Sequence, residues 1–284
     1  AEKMISSAAN CGAEYCKFQT WKVKNLKDGP WNTDGRLEIY NKAELSDEDH
    51  KKLVDLCKKY KVKFLTSLFN IKDLEFVSQL SNKAIKIPSH EVYNLELIKK
   101  SCDTFEKVFI SVGACKWGEF KNILNLDIDL KKVYFMHCVS SYPLSQENVN
   151  FPKLLEIKKA HHQIGYSGHL KGVEDAIAAI SYGAMIVEKH FTLDRNGGGP
   201  DDSFSLEPSD LLDLCRDSET VWRALGKVNY GRKSSEIENL KFRRSLYFVK
   251  DVSKGEMIIA DMVRSVRPGY GLPPKELEGM LGKR

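Results

Sequence analysis

The chain has 284 residues, 42% of them hydrophobic and 29% charged, with a formal net charge of +5. That is the composition of an ordinary soluble globular protein, with room for one large domain or one domain and a small appendage. The positive balance is mild and carries no basic block, which argues against nucleic acid but suits a basic pocket for an acidic substrate. No apolar run reaches about 18 residues, so no membrane helix is expected, and the start does not read as a signal peptide. The seven cysteines form no C-x-x-C pair. They read as reduced and structural, in a cytoplasmic protein.

In chain order, residues 1–12 (AEKMISSAANCG) read as a helix already under way, with a strand expected before it. A strand-then-helix rhythm follows. Candidate strands are 15–19, 63–68, 84–89, 107–113, 133–140, 163–169 and 185–192, with amphipathic segments such as 47–60 between them. This alternation predicts a parallel sheet with crossover helices. Counting one strand before residue 1, it predicts a (β/α)8 TIM barrel. A doubly wound open sheet is the alternative, but no G-x-G-x-x-G follows a strand. Residues 194–202 (DRNGGGPDD) form a glycine-rich acidic loop able to fold over a site, or a plain surface loop. Residues 208–225 read as a helix with Pro at its first turn and Gly226 after its end. The domain reading is a barrel over 1–227, a linker over 228–242 and a small β-rich module over 243–284. That module is too short to bury much core alone.

The strand ends carry the chemistry. They present Lys17 and Gln19, then Thr66 and Ser67, then Lys86 and Ser89, then Ser111 and Gly113. The later ones present Ser140, Ser141 and Tyr142, then Ser167 and His169, then Glu188 and His190. In a barrel all lie on the C-terminal rim, where sites are built. Two lysines and several hydroxyls make a cradle for a phosphate dianion, the cations supplying charge and the hydroxyls directed donors. The histidines of GYSGH (165–169) and EKH (188–190) close neighbouring strands, so both imidazoles can converge on a divalent metal. The competing reading is two unrelated histidines satisfied by backbone.

Further motifs then carry a resemblance. KFQ at 17–19, KIPS at 86–89, SYP at 141–143, NVNF at 148–151, GYSGH at 165–169 and EKHFTLD at 188–194 occur in order. GPD at 199–201, SLEP at 205–208 and RPGYG at 267–271 follow them. The chain resembles the N-acetylneuraminate (sialic acid) synthases over essentially its whole length. The resemblance implies a (β/α)8 barrel joined to a C-terminal antifreeze-like (SAF) domain. It implies condensation of phosphoenolpyruvate (PEP) with a 2-acetamido sugar aldehyde, N-acetylmannosamine or a relative, to a nonulosonic acid and phosphate. It further implies a divalent ion, Mn²⁺ first and Mg²⁺ or Co²⁺ as alternatives, held by His169 and His190. PEP would be bound by Lys17, Ser67, Lys86, Ser89, Ser111, Ser140 and Ser167, and the sugar by Gln19, Tyr142, Asp201 and Arg267. Of these, Lys17, Gln19, Tyr142 and Asp201 are the candidates closest to the chemistry. Arg267 would reach the partner's site in a homodimer with swapped SAF domains. Ser67 stands where the family often has Thr, and Asp202 replaces the histidine common after G-P-D. The family's first-strand loop, E-I-G-x-N-H-x-G-like with its glutamate, has no counterpart from Ala1 onward, and Glu2 and Glu14 do not replace it. The SAF module is expected to stop short of its last strands. Two rival readings stay open: another PEP-dependent aldol synthase, of the 3-deoxy-octulosonate type, and a catalytically silent sugar-binding barrel. The first lacks a SAF module.

Overall fold

The alternation read from the sequence is the alternation of the fold. In a computed structural model describing all of Ala1–Arg284, the chain runs through α1 (Glu2–Asn10), β1 (Tyr15–Thr20), α2 (Arg36–Ala43), α3 (Asp47–Lys59) and β2 (Lys63–Leu68). It continues through α4 (Leu74–Leu80), β3 (Ala84–Ile87), α5 (Leu95–Thr104), β4 (Lys107–Ser111), α6 (Trp117–Leu124) and β5 (Val133–Cys138). Then come α7 (Phe151–Ala160), β6 (Ile164–Gly168), α8 (Glu174–Ser181), β7 (Ile186–Lys189) and α9 (Pro208–Leu225). The seven strands pair in parallel in chain order, each with the next. Short strands joined by helices can pair this way only if the helices pack outside the sheet.

The sheet is curled, and its first and last strands approach each other: Lys17 on β1 lies 3.5 Å from Glu188 on β7. The TIM-type barrel is therefore present as seven of its strands, and β1 and β7 exchange no backbone hydrogen bonds. Beside them a cleft of about 1030 Å³ is lined by α1, α9 and the inner residues of the sheet, among them Lys17, Phe109, Met136 and Glu188.

Apolar packing on both faces of the sheet follows from the strand period of two. The outer core packs the helices on the sheet and includes Leu97, Ile98, Ile110, Phe135, Leu154 and Ile164. The inner one joins Leu65, Ala84, Phe109 and Met136 with Tyr15, Tyr134 and Ile186. Local signals set the helix starts. At α3, Ser46 Oγ accepts from Asp49 N at 3.1 Å while Asp49 Oδ2 accepts from Ser46 N at 3.1 Å, a reciprocal cap.

Five strands are shorter than the sequence suggested. β3 stops at Ile87, β4 at Ser111, β5 at Cys138, β6 at Gly168 and β7 at Lys189. Their polar last residues leave the ladder because they turn into the rim loops.

The chain divides into two compact units, Ala1–Gly226 and Lys227–Arg284. In the second, β8 (Ser245–Phe248) and β9 (Val263–Val266) pair antiparallel, and α10 spans Leu277–Met280. The segment expected as a linker differs from that reading: Ser234–Phe242 is wound into 3-10 turns. It is tied into this unit by Gly269 N donating to Lys241 O at 2.9 Å. No helix is long and apolar enough to cross a membrane.

Candidate active site

The polar residues of the barrel interior sit two positions beyond the apolar ones, and strand geometry dictates that they share a face. Tyr15 precedes Lys17, Leu65 precedes Ser67, Ala84 precedes Lys86 and Phe109 precedes Ser111. Likewise Met136 precedes Cys138 and Ile186 precedes Glu188. On β6 the lower position is Gly165, where a Cβ would lie 2.9 Å from Ile186 O and 3.2 Å from Met136 Cγ. Ser167 stands two residues above it. An apolar floor thus carries a polar layer.

Within that layer Lys17 Nζ donates to Ser67 Oγ at 3.4 Å and Lys86 Nζ to Ser111 Oγ at 2.5 Å. Glu188 lies between the ammoniums, 3.5 Å from Lys17 and 3.1 Å from Lys86. Burial pushes the Glu188 carboxyl up, but the two lysines outweigh it and hold the pKa down at about 2. Burial lowers Lys86 in turn, against the pull of Glu188. Glu188 is the residue that reasoning from strand ends noted without giving it a role. Its signal was the i+2 step from Ile186, which aims it at the lysines.

Above the lysines, three groups frame a small concavity. Gly113 N donates to Ser89 Oγ at 3.1 Å. The Ser140 hydroxyl is buried and has no partner. A Cβ at Gly113 would fall 2.6 Å from Ser140 Oγ and 2.7 Å from Ser89 Oγ. The glycine keeps open the space that both hydroxyls face. A buried hydroxyl without a partner is costly, and an anion in that space would satisfy it. Ser67, Lys86, Ser89, Ser111, Ser140 and Ser167 therefore gather in or just above one layer with Lys17. Thr66, adjacent in sequence to Ser67, does not: it points outward, where Thr20 bridges it to His50 through contacts of 2.9 Å each.

The histidines lie at the same rim. Gly168 pairs with Lys189 across β6 and β7, so His169 and His190 leave the sheet at one level, with ring centroids 5.4 Å apart. His169 Nδ1 is 2.9 Å from Val139 O, which can only accept, so this nitrogen carries the proton and Nε2 keeps its lone pair. Burial first, and the neighbouring imidazole less so, lowers its pKa to about 4, leaving the ring neutral near pH 7. His190 Nδ1 faces Asp201 Oδ2 at 3.3 Å. That hydrogen bond is the main cause of the depressed Asp201 pKa. Tyr142 lies against His169, with centroids 4.2 Å apart, and Phe204 lies 5.1 Å from His190. Phe204 escaped the sequence reading because it lies beyond the glycine-rich loop. The loop returns it to the site: Leu206 N donates to His190 O at 2.8 Å, and Arg195 is held by Glu207 and Asp210.

These donors fit a divalent ion in part. Two imidazoles that can each present Nε2 are good ligands, each oriented through its Nδ1 by Val139 O or Asp201. No group of three or more His, Cys, Asp or Glu is placed to hold a metal ion, so water or substrate would have to complete the shell. Gln19, at the exposed upper end of β1, is brought to the same cleft as His190 and Asp201. Arg267 follows β9 in the second unit and is exposed there.

A seven-stranded curled parallel sheet carries lysines, hydroxyls and two imidazoles together at its C-terminal rim, where β/α-barrel enzymes build their sites. Comparison with known proteins makes the class specific. Residues 4–230 match the NeuB family and residues 243–284 the SAF domain. The N,N'-diacetyllegionaminic acid synthase of Campylobacter jejuni is 34% identical over 300 residues, covering 100% of this chain and 90% of that protein. The human N-acetylneuraminate-9-phosphate synthase is 29% identical, covering 100% and 83%. The crystal structure of the N-acetylneuraminic acid synthetase of Leptospira borgpetersenii, in complex with citrate, superposes with a TM-score of 0.77 at 28% identity over 85% of each chain. The chain belongs to the NeuB family and carries a SAF domain. It is an enzyme of the synthase type.

Proposed function

We propose that this enzyme condenses PEP with an N-acetylated amino-sugar aldehyde to give a nonulosonic acid and phosphate. The observation that carries the reading is the cradle of Ser89, Gly113 and Ser140 above Lys17 and Lys86. It offers two cations and directed hydroxyls to one small polyanion. The reaction forms a carbon–carbon bond from PEP C3 to the aldehyde carbon. Water adds at C2, and the C2–O bond then breaks to release phosphate.

Lys17 and Lys86 bind the carboxylate and phosphate, fixing the plane of PEP and favouring departure of the phosphate. Glu188 pairs with both ammoniums and directs them, and its charge opposes the burial that lowers Lys86. Ser67, Ser111 and Ser167 orient those groups, while Ser89 and Ser140 donate to the phosphate. His169 and His190 would hold the divalent ion, Mn²⁺ first, with Val139 O and Asp201 fixing their tautomers. Such an ion supplies Lewis acidity to the aldehyde oxygen. Tyr142, Gln19 and Phe204 form the wall against which the sugar is placed. Arg267 is proposed to reach the sugar's N-acetyl group from the partner subunit of a homodimer.

The two N,N'-diacetyllegionaminic acid synthases are 34% and 29% identical and the 9-phosphate synthase 29%, so the acceptor is proposed as a class, the N-acetylated amino-sugar aldehydes. The test is a panel of aldehydes offered to the full chain with PEP and Mn²⁺, read by phosphate release and product mass. A product with the summed mass of PEP, water and the acetamido sugar, less phosphoric acid, is expected. Turnover of a phosphopentose to the exclusion of every acetamido sugar would overturn the reading in favour of a 3-deoxy-octulosonate-type synthase. A panel without phosphate release, by a chain that still binds sugar, would favour the silent barrel.

A further inference from the structure

The two imidazoles follow consecutive strands, so their separation is only as fixed as the ends of β6 and β7. Those ends are tied together on the outer face of the sheet. On β7, Glu188 aims at the lysines inside the barrel, and Lys189 beside it points the other way, towards α8. The Lys189 ammonium donates to Leu170 O at 2.7 Å and to both Asp175 carboxylate oxygens at 3.1 Å. These three acceptors match its three N–H donors. On β6, Tyr166 OH donates to Asp175 Oδ2 at 2.9 Å. The Lys189 and Asp175 side chains are only 3% and 1% exposed. Gly168 leaves them room, since a Cβ there would lie 2.6 Å from Asp175 Oδ2 and 3.1 Å from Lys189 Cδ.

The network thus grips the residue before His190, the residue after His169, and the first turn of the helix between them. Stability does not account for an ion pair at this place. A buried pair is typically no better than well-packed apolar side chains of the same volume. What it adds is direction, because three hydrogen bonds set where the end of β7 sits against the turn after β6.

We propose that Lys189, Asp175 and Tyr166 form a buried clamp that fixes the spacing and aim of His169 and His190, and so sets this chain's affinity for its divalent ion. They are positioning residues, acting from the opposite face of the strands. The inference rests on the metal reading above, and the experiment keeps the two apart.

Mn²⁺ binding by the full chain, without substrates, is read from the electron paramagnetic resonance of the free ion. Wild type should bind and His190→Ala should not. Equal binding by both would overturn the metal reading and the clamp with it. The triple variant Tyr166→Phe/Asp175→Leu/Lys189→Met replaces the clamp with apolar groups of similar shape. It should melt near wild type yet bind Mn²⁺ about tenfold or more weakly, the usual effect of removing the groups that orient metal ligands. Unchanged Mn²⁺ affinity in a folded triple variant would overturn the clamp and leave the metal reading standing. Should that variant not fold, Asp175→Asn keeps the shape and loses the charge. Weakened Mn²⁺ binding is again expected, and wild-type affinity in it would overturn the clamp.

Discussion

The inner layer of the barrel and its rim are built by the same strands, yet they meet water differently. Ser67, Lys86, Ser89, Ser111 and Ser167 are all buried, whereas Tyr142 is 49% exposed and the Asp201 side chain 50%. The inner groups are held by strand pairing and by one another before any ligand arrives, which suits a small anion of invariant shape. At the rim Tyr142 and Asp201 come from loops and keep open faces, which suits a larger acceptor whose substituents vary. Preorganisation is thus concentrated where the proposed substrate is constant.

The largest expected effect falls at the rim. His190→Ala removes a proposed ligand and the partner of Asp201, without touching the inner layer. It should abolish metal-dependent turnover while PEP still binds and the fold is kept. Full turnover with unchanged Mn²⁺ dependence would break the distinction between anion layer and metal rim. The same variant sharpens the assembly reading when mixed with Arg267→Ala. Random exchange makes about half the dimers mixed, each with one intact site, so activity should return towards about a quarter of wild type. Shown exchange without recovery would mean that the arginine does not act across subunits.

A smaller effect concerns acid. His169 is held near 4, below its ordinary range, so the unfolded chain binds more protons than the folded one between about 6.5 and 4. Stability should fall as pH drops through that window. Glu188, held near 2, adds stability above its ordinary range that is lost as pH falls from about 4.5 towards 2. Both act in one direction. Thermal melting from pH 7 to 4 should be less pH-dependent in His169→Gln than in wild type, and parallel curves would contradict the buried, neutral imidazole.

Much of this was legible in the sequence because parallel strands announce themselves as short apolar runs, and their polar ends mark the rim. His169 and His190 come side by side because strand order equals chain order. What was less legible depended on which way a side chain faces. Thr66 and Ser67 look interchangeable in the string, but strand alternation sends one to His50 and the other to Lys17. Glu188 looked like one more strand-end charge until the step from Ile186 put it between two lysines. Lys189 drew no notice, because an outward lysine usually ends in water and this one ends under α8. Ser234–Phe242 has no helical period to read, yet it is wound into 3-10 turns.

The central claim is that the inner layer is a preformed PEP site, and calorimetric titration of PEP against wild type, Lys86→Met and Gly113→Ala tests it most directly. Lys86→Met loses a charged hydrogen bond worth roughly 1.5–3 kcal/mol, so PEP affinity should fall by about one to two decades. Gly113→Ala places a methyl group within 2.7 Å of both cradle hydroxyls and should weaken PEP comparably with every charge kept. Mn²⁺ affinity should hold in both. PEP binding as tight as wild type in the two variants would contradict the account.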